Sequence, residues 1–215
     1  MSFYVMLEQL ADGMIKTMGI FFLTLIFSLP LGLIICFGRM AKNKILSGVT
    51  GILISVLRGT PLMLQLMVVY FFPFFLFGWS ISGWRFPAII VGFSINYAAY
   101  FAEIYRSGIE AIPKGQYEAA QLLGYSKSAT FFRIILPQVI KIILPAITNE
   151  IITLVKDTSL AFSLAYMEMF TIAKQIAARE TTFVPFVIAA IFYYVFNLLV
   201  AFIMKKVEKK MNYYN

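Results

Sequence analysis

Two groups of polar side chains interrupt segments that are otherwise apolar. Asn96, Tyr100 and Glu103 follow one another at i, i+4 and i+7, the spacing that places side chains on one face of a helix. Asn149, Glu150, Thr153, Lys156 and Asp157 make a second stripe of the same kind. A charged group at mid-membrane costs about 2.5–3.5 kcal/mol on insertion scales, so such stripes must face a polar cavity, a partner chain or each other. Two readings stand side by side. The stripes line a path for a polar solute, or they hold the helices together through pairs such as Glu103 with Arg106, and Glu150 or Asp157 with Lys156. Covalent and metal chemistry is excluded more firmly. The chain has no histidine, and Cys36 is alone inside an apolar run. Zinc sites, disulfides and Cys/His or Ser/His/Asp nucleophile sets all need residues that are missing.

The elements that must position these stripes follow from composition. Apolar residues make up 61% of the chain and charged residues 13%, with a mean hydropathy of +0.85. Soluble domains have roughly 45–50% apolar and about 25% charged residues, so the sequence predicts an all-α integral membrane protein. Its 215 residues leave room for a single domain of five or six spans at roughly 20 residues each. Apolar runs predict spans at 18–38, 61–77, 87–105, 139–155 and 183–204, with a helix over 45–57 lying near the inner surface. The segment 157–182 holds an apolar run too short to cross, and reads as re-entrant or interfacial. On this arrangement 13 of the 18 lysines and arginines fall on one side, which places the N-terminus outside and the C-terminus in the cytoplasm by the positive-inside bias. A sixth span within 157–182 would instead put Lys205, Lys206, Lys209 and Lys210 outside. The net charge of +8 is thus a topology signal rather than a nucleic-acid footprint. The opening MSFYVMLEQLADG has no base, unlike a secretory signal, so the first span is expected to be retained.

Between the third and fourth spans lies a polar insert, 108–137, containing EAAQLLGYSKSATFFRIILP from Glu118. GQYEAAQLLG reads as a short helix, Gly124 as a sharp corner, SKSATFFRIIL as a second helix, and Pro137 as another boundary. Helix, corner and helix make an L-shaped protrusion carrying Tyr117, Leu122, Leu123 and Tyr125. It is either a knob for a groove on a cytoplasmic partner or an amphipathic helix lying on the inner leaflet.

Glu118-Ala119-Ala120, then Gly124, Ile134 and Leu136-Pro137, at these spacings, resemble the EAA loop of bacterial ABC importer permeases. RGTPLMLQLMVVYF from Arg58, YFAEIYRSGIEAIPKGQYEAA from Tyr100 and NEIITLVKDTSL from Asn149 resemble its polar amino acid branch. The resemblance implies a type I importer fold in the bacterial inner membrane. It also implies a second permease subunit, identical or homologous, a pair of cytoplasmic ATPases and an extracytoplasmic amino acid-binding protein. Tyr117, Glu118, Ala119, Ala120, Leu123, Gly124 and Tyr125 would then form the coupling helix that docks on the ATPase. No G-x-x-x-x-G-K-[ST] phosphate loop is present, so ATP and magnesium are expected on the ATPase and no cofactor on this chain. An amino acid carries an ammonium and a carboxylate. The sequence Lys156-Asp157-Thr158-Ser159 offers both charge signs and two hydroxyls at the end of span four, and Glu168 adds an acid beyond it. These residues, with the two stripes, are the predicted substrate pathway. A channel or secondary carrier would show intramembrane polar groups too, but would have no use for the EAA segment.

Overall fold

The computed structural model describes residues 1–211. Over them the chain folds as nine α-helices with no strand. Helix α1 (Phe3–Arg39) is capped by Ser2, whose Oγ accepts from the Val5 N–H at 3.4 Å. It begins well before the predicted span at 18, because Met6, Leu10, Gly13 and Met14 form a buried face before the long apolar run starts. That face packs on α8 (Met169–Glu180). The fit is close at Gly13, where a Cβ would lie 2.7 Å from the Met169 Cα.

The next two helices match the predicted ranges and form a bent pair. Helix α2 (Lys44–Gly59) and α3 (Leu62–Phe77) meet at a 113° bend. Pro61 starts the second helix, as predicted, and has no N–H to continue the first. The break sits against Asn96, near the middle of α4 (Arg85–Glu110), whose amide donates to the Leu57 carbonyl at 3.0 Å and to Gln65 Oε1 at 2.9 Å. Gln65 in turn donates to the carbonyls of Leu57 and Thr60 at 2.8 and 3.1 Å. Broken helices survive at membrane depth only where neighbours satisfy the freed backbone groups. Asn96 and Gln65 do that here. The helix predicted over 45–57 and the span predicted from 61 are thus the two arms of one bent pair.

Helix α4 is the centre of the bundle and packs on α1, α2, α3 and α7. Small residues let it approach α1: a Cβ on Gly32 would lie 2.9 Å from the Phe101 Cβ. After α4 come the short α5 (Lys114–Leu122) and α6 (Lys127–Thr130). A π-helical turn over Phe131–Ile135 then leads directly into α7 (Leu136–Asp157). Pro137 falls at the boundary expected there, where the π turn ends and α7 begins, in a first turn that tolerates a missing N–H. A 3₁₀ segment (Thr158–Leu164) prolongs α7, and α9 (Val184–Met211) closes the bundle. Four helical runs, Phe3–Arg39, Arg85–Glu110, Lys127–Leu164 and Val184–Met211, are long and apolar enough to cross a membrane, and α2 with α3 brings the number to five if the bent pair is one span. Helix α8, of 12 residues, is too short to cross.

Candidate functional site

Two separate regions carry the candidate residues. The first is the α5 protrusion. Its corner is a C-cap in which Gly124, at φ +80°, donates to the Gln121 carbonyl at 3.0 Å while Tyr125 donates to the Ala120 carbonyl at 3.0 Å. This is the paired bonding of a Schellman cap, and the left-handed conformation is one that glycine adopts without cost. Ser126 then restarts the chain as α6 by accepting from the Ala129 N–H at 3.2 Å. The cap turns Leu122 and Leu123 outward, 89% and 76% exposed, with Tyr117, Glu118, Ala119 and Tyr125 also exposed. Ala120 differs from its expected docking role. It is buried, on a helix whose contacts are with α6 and the π turn, so its small side chain lets α5 lie close to its own subunit.

The second region lies where the α2/α3 break faces α4 and α7. Arg58, in the last turn of α2, holds its guanidinium 5.2 Å from the centre of the Tyr100 ring, within cation–π range. Tyr97 is buried in α4 and donates its hydroxyl to Asp157 Oδ2 at 2.7 Å, tying α4 to α7. Glu150 is half-buried and lies two turns before Asp157 on the same face of α7. Thus Tyr100 and Asp157 of the two predicted stripes come together through Tyr97, whose ring centre lies 6.3 Å from that of Tyr100; Arg58 joins them, and Glu150 shares the Asp157 face of α7. Asn149 is exposed and Thr153 half-buried on the same helix.

The other predicted residues have different duties. Both amide hydrogens of Asn96 go to the helix break, and its side chain is 4% exposed, so it stabilises the break instead of facing a solute. Glu103 is paired with Arg106, whose Nε lies 3.1 Å from each carboxylate oxygen, and Arg106 also binds Glu110. That pair takes the structural reading. The pairing of Glu150 or Asp157 with Lys156 is not made among the described residues. Lys156 lines a different cavity, about 310 Å³, with Ser159, Phe170 and Tyr193 on the α8/α9 side. Adjacent helix positions differ by about 100°, which separates Lys156 from Asp157. Thr158 and Ser159 give their hydroxyls to the carbonyls of Val155 and Lys156 at 2.7 and 2.8 Å, finishing α7.

Glu168 departs furthest from expectation. It is fully buried and caps α8. One carboxylate oxygen accepts from the Thr171 N–H and hydroxyl at 2.7 and 2.8 Å; the other accepts from the Phe170 N–H at 2.8 Å and the Tyr193 hydroxyl at 3.1 Å. Burial pushes this carboxyl above the ordinary range while the four donors pull the other way. A carboxylate with its oxygens saturated and no exposure has no means of receiving a substrate ammonium.

The sequence reading missed Arg58, Gln65 and Tyr97 as site residues. By charge alone Arg58 is a topology signal; its place before Gly59-Thr60-Pro61 also marks it as the end of a helix that breaks. Tyr97 is one position off the predicted face and carries no spacing signal.

Residues 15–213 match the family described as binding-protein-dependent transport system inner membrane component. The chain belongs to this family, and its fold is that of the type I ABC importer permeases: all-helical and membrane-embedded, with several apolar spans. Among its relatives it is similar to the L-cystine transport system permease protein TcyB of Bacillus subtilis, 36% identical over 208 residues that cover 95% of this chain and 87% of that protein. It is equally similar to a putative glutamine transport system permease protein, GlnP, of Rickettsia conorii, 36% identical over 212 residues covering 98% and 96%. Among solved structures it resembles a crystal structure of an amino acid ABC transporter with histidines, at a TM-score of 0.86 and 32% identity over 98% of this chain and 99% of that one.

Proposed function

We propose that this chain is the permease subunit of an ATP-driven amino acid importer, in which α5 engages a cytoplasmic ATPase and the Arg58–Tyr100–Glu150–Asp157 cluster lies on the path of the solute. The observation that carries the reading is the outward face of α5. Two leucines and two tyrosines stand exposed on a capped, L-shaped turn, and aromatic and aliphatic side chains seated in a pocket are the usual anchors of a protein–protein contact. ATP and magnesium then belong to that partner, and an extracytoplasmic binding protein delivers the solute. Relatives named for cystine and glutamine transport support the amino acid class. The polar side of α7, with Asn149 and Lys156 exposed, favours a second permease subunit covering it, since bare polar stripes are costly in lipid. The N-terminus outside and the C-terminus in the cytoplasm complete the arrangement. The test is expression of the chain with its neighbouring ATPase. Co-purification and uptake of a labelled amino acid that ceases without ATP are expected, and uptake that persists without any ATPase would instead make the chain a carrier or channel.

A further inference from the structure

Lys16, on α1, and Arg85, at the start of α4, line one cavity of about 690 Å³ at the end of the bundle opposite α5. No carboxylate lines it. Arg85 makes no ion pair among the described residues and gives one N–H to the Ala165 carbonyl at 3.4 Å, so most of its donors stay free. Lys16 pairs with Asp12 at 2.6 Å, but that pair is exposed and of the i,i+4 kind that holds loosely. Its ammonium keeps two further donors. With that pair counted as neutral, the cavity carries one net positive charge. Tyr70 points to an occupant independently. It is only 9% exposed, and its hydroxyl has no hydrogen-bond partner among the described residues, so the one polar atom of a buried ring is left to the cavity it lines. Ser82 and Tyr166 add two more hydroxyls to the same walls.

Depth decides what the occupant is. Lys16 stands two residues before the apolar run that starts at Met18, and Arg85 two before the one that starts at Pro87. Both cations therefore sit at the membrane edge, with Trp79 and Trp84 beside Arg85 in the same turn, where indole rings prefer to lie. From the cavity an apolar track leads along α3 into the membrane. The Tyr70 ring lies 4.9 Å from that of Phe71, Phe71 lies 6.1 Å from Phe75, and both phenylalanines are exposed. Cations and hydroxyls at headgroup height, continuous with bare rings at acyl-chain height, suit a lipid and not a soluble anion. We propose that this cavity binds the headgroup of an anionic phospholipid of the phosphatidylglycerol kind. The phosphate lies between Lys16 and Arg85, the hydroxyls of Tyr70 and Ser82 meet its oxygens, and the acyl chains run along Phe75 and Phe71. A phosphodiester carries a single negative charge, which the net charge of the cavity matches. A choline or ethanolamine headgroup would bring an ammonium that no group on these walls can answer. The site goes beyond the importer reading and requires only that the chain spans a membrane.

The experiment is native mass spectrometry of the full chain, purified with its partner subunits in a neutral detergent and titrated with phosphatidylglycerol or phosphatidylcholine of identical acyl chains. Each basic side chain near an anionic headgroup is worth about fivefold, so the two together should favour phosphatidylglycerol by about 30-fold. Arg85→Gln should reduce that advantage to about fivefold. Lys16→Gln combined with Arg85→Gln should abolish it and leave phosphatidylcholine within about twofold of its native retention, since an uncharged site no longer tells the two apart. Glycerol phosphate, the anion without its tails, should fail to displace bound phosphatidylglycerol at equal concentration. Equal retention of the two lipids, or an advantage that survives the double substitution, overturns the proposal. Displacement by glycerol phosphate overturns it in favour of a soluble anion, and loss of binding-protein docking in the double variant with lipid retention unchanged overturns it in favour of a protein carboxylate. If the double variant fails to accumulate, Arg85→Gln and the glycerol phosphate competition on the unaltered protein decide.

Discussion

Glu168→Gln separates a carboxylate that holds the fold from one that meets a solute. In the native chain its two oxygens accept four hydrogen bonds, two of them from the backbone N–H groups of Phe170 and Thr171. A glutamine can supply only one oxygen. Whichever way its amide is turned, the NH₂ group faces one backbone N–H and one hydroxyl. The hydroxyl of Thr171 or Tyr193 can rotate and accept instead, but the N–H cannot, so one buried donor is stranded at about 1–3 kcal/mol. The bonds that remain lose their charge assistance, roughly halving each. Relief from burying a charge offsets part of this. The net expectation is a loss of about 2–4 kcal/mol, or roughly 4–16 °C in Tm for a domain of this size. The assay is thermal unfolding of the detergent-solubilised complex, followed by the emission of Trp79 and Trp84, beside the concentration dependence of uptake. A sharp fall in Tm, with the half-saturation of the surviving protein unchanged, is expected. An unaltered Tm with a raised half-saturation would refute the assignment of Glu168 to the fold. The pH dependence has a definite sign. Burial raises this carboxyl above its unfolded value, so the folded state holds the proton more tightly, and stability falls as pH rises from the ordinary glutamate range through the raised folded value. Glu168→Gln should flatten that slope, read as Tm against pH from about 4 to 8.

Three other substitutions test the remaining structure. Gly124→Val places a β-branched residue at φ +80°, a conformation costing L-residues about 1–2 kcal/mol; no atom lies within 4 Å of its added Cβ, so the protein should accumulate normally while association with the ATPase weakens, and full uptake would count against the cap as the device that aims α5. Gly13→Ala puts a Cβ 2.7 Å from the Met169 Cα, a backbone atom that cannot step aside, and should lower Tm by several degrees through the α1–α8 contact, with an unchanged Tm showing that the contact can open freely. Lys210→Cys, beside Cys36→Ser to remove the buried native thiol, should resist a membrane-impermeant thiol reagent in sealed cells, because α9 is proposed to end in the cytoplasm. Labelling from outside would reverse the topology.

The sequence by itself determined the membrane class, the helical architecture and the two polar faces, because each follows from a local rule: length against bilayer thickness, and 3.6-residue spacing within one helix. Pro61 as a helix start and Gly124 as a corner were legible for the same reason, since each residue restricts or frees its own backbone. Only the tertiary structure decided what the polar groups touch. Arg58 looked like one more inner-surface cation until the bend beside Asn96 brought it against Tyr100 on another helix. Glu168 looked like a free acid at the end of a path until α9 delivered the Tyr193 hydroxyl to it and its own helix delivered two N–H groups. Glu103 has its partner three residues away, so its pair was available from spacing; Asp157 has its partner sixty residues earlier in Tyr97, so its bond was not. A charge in an apolar run declares that something must compensate it. Which group does so depends on helix rotation and crossing, set by close contacts such as Gly32 against Phe101 and Gly13 against Met169, and those are properties of helix pairs rather than of either helix alone.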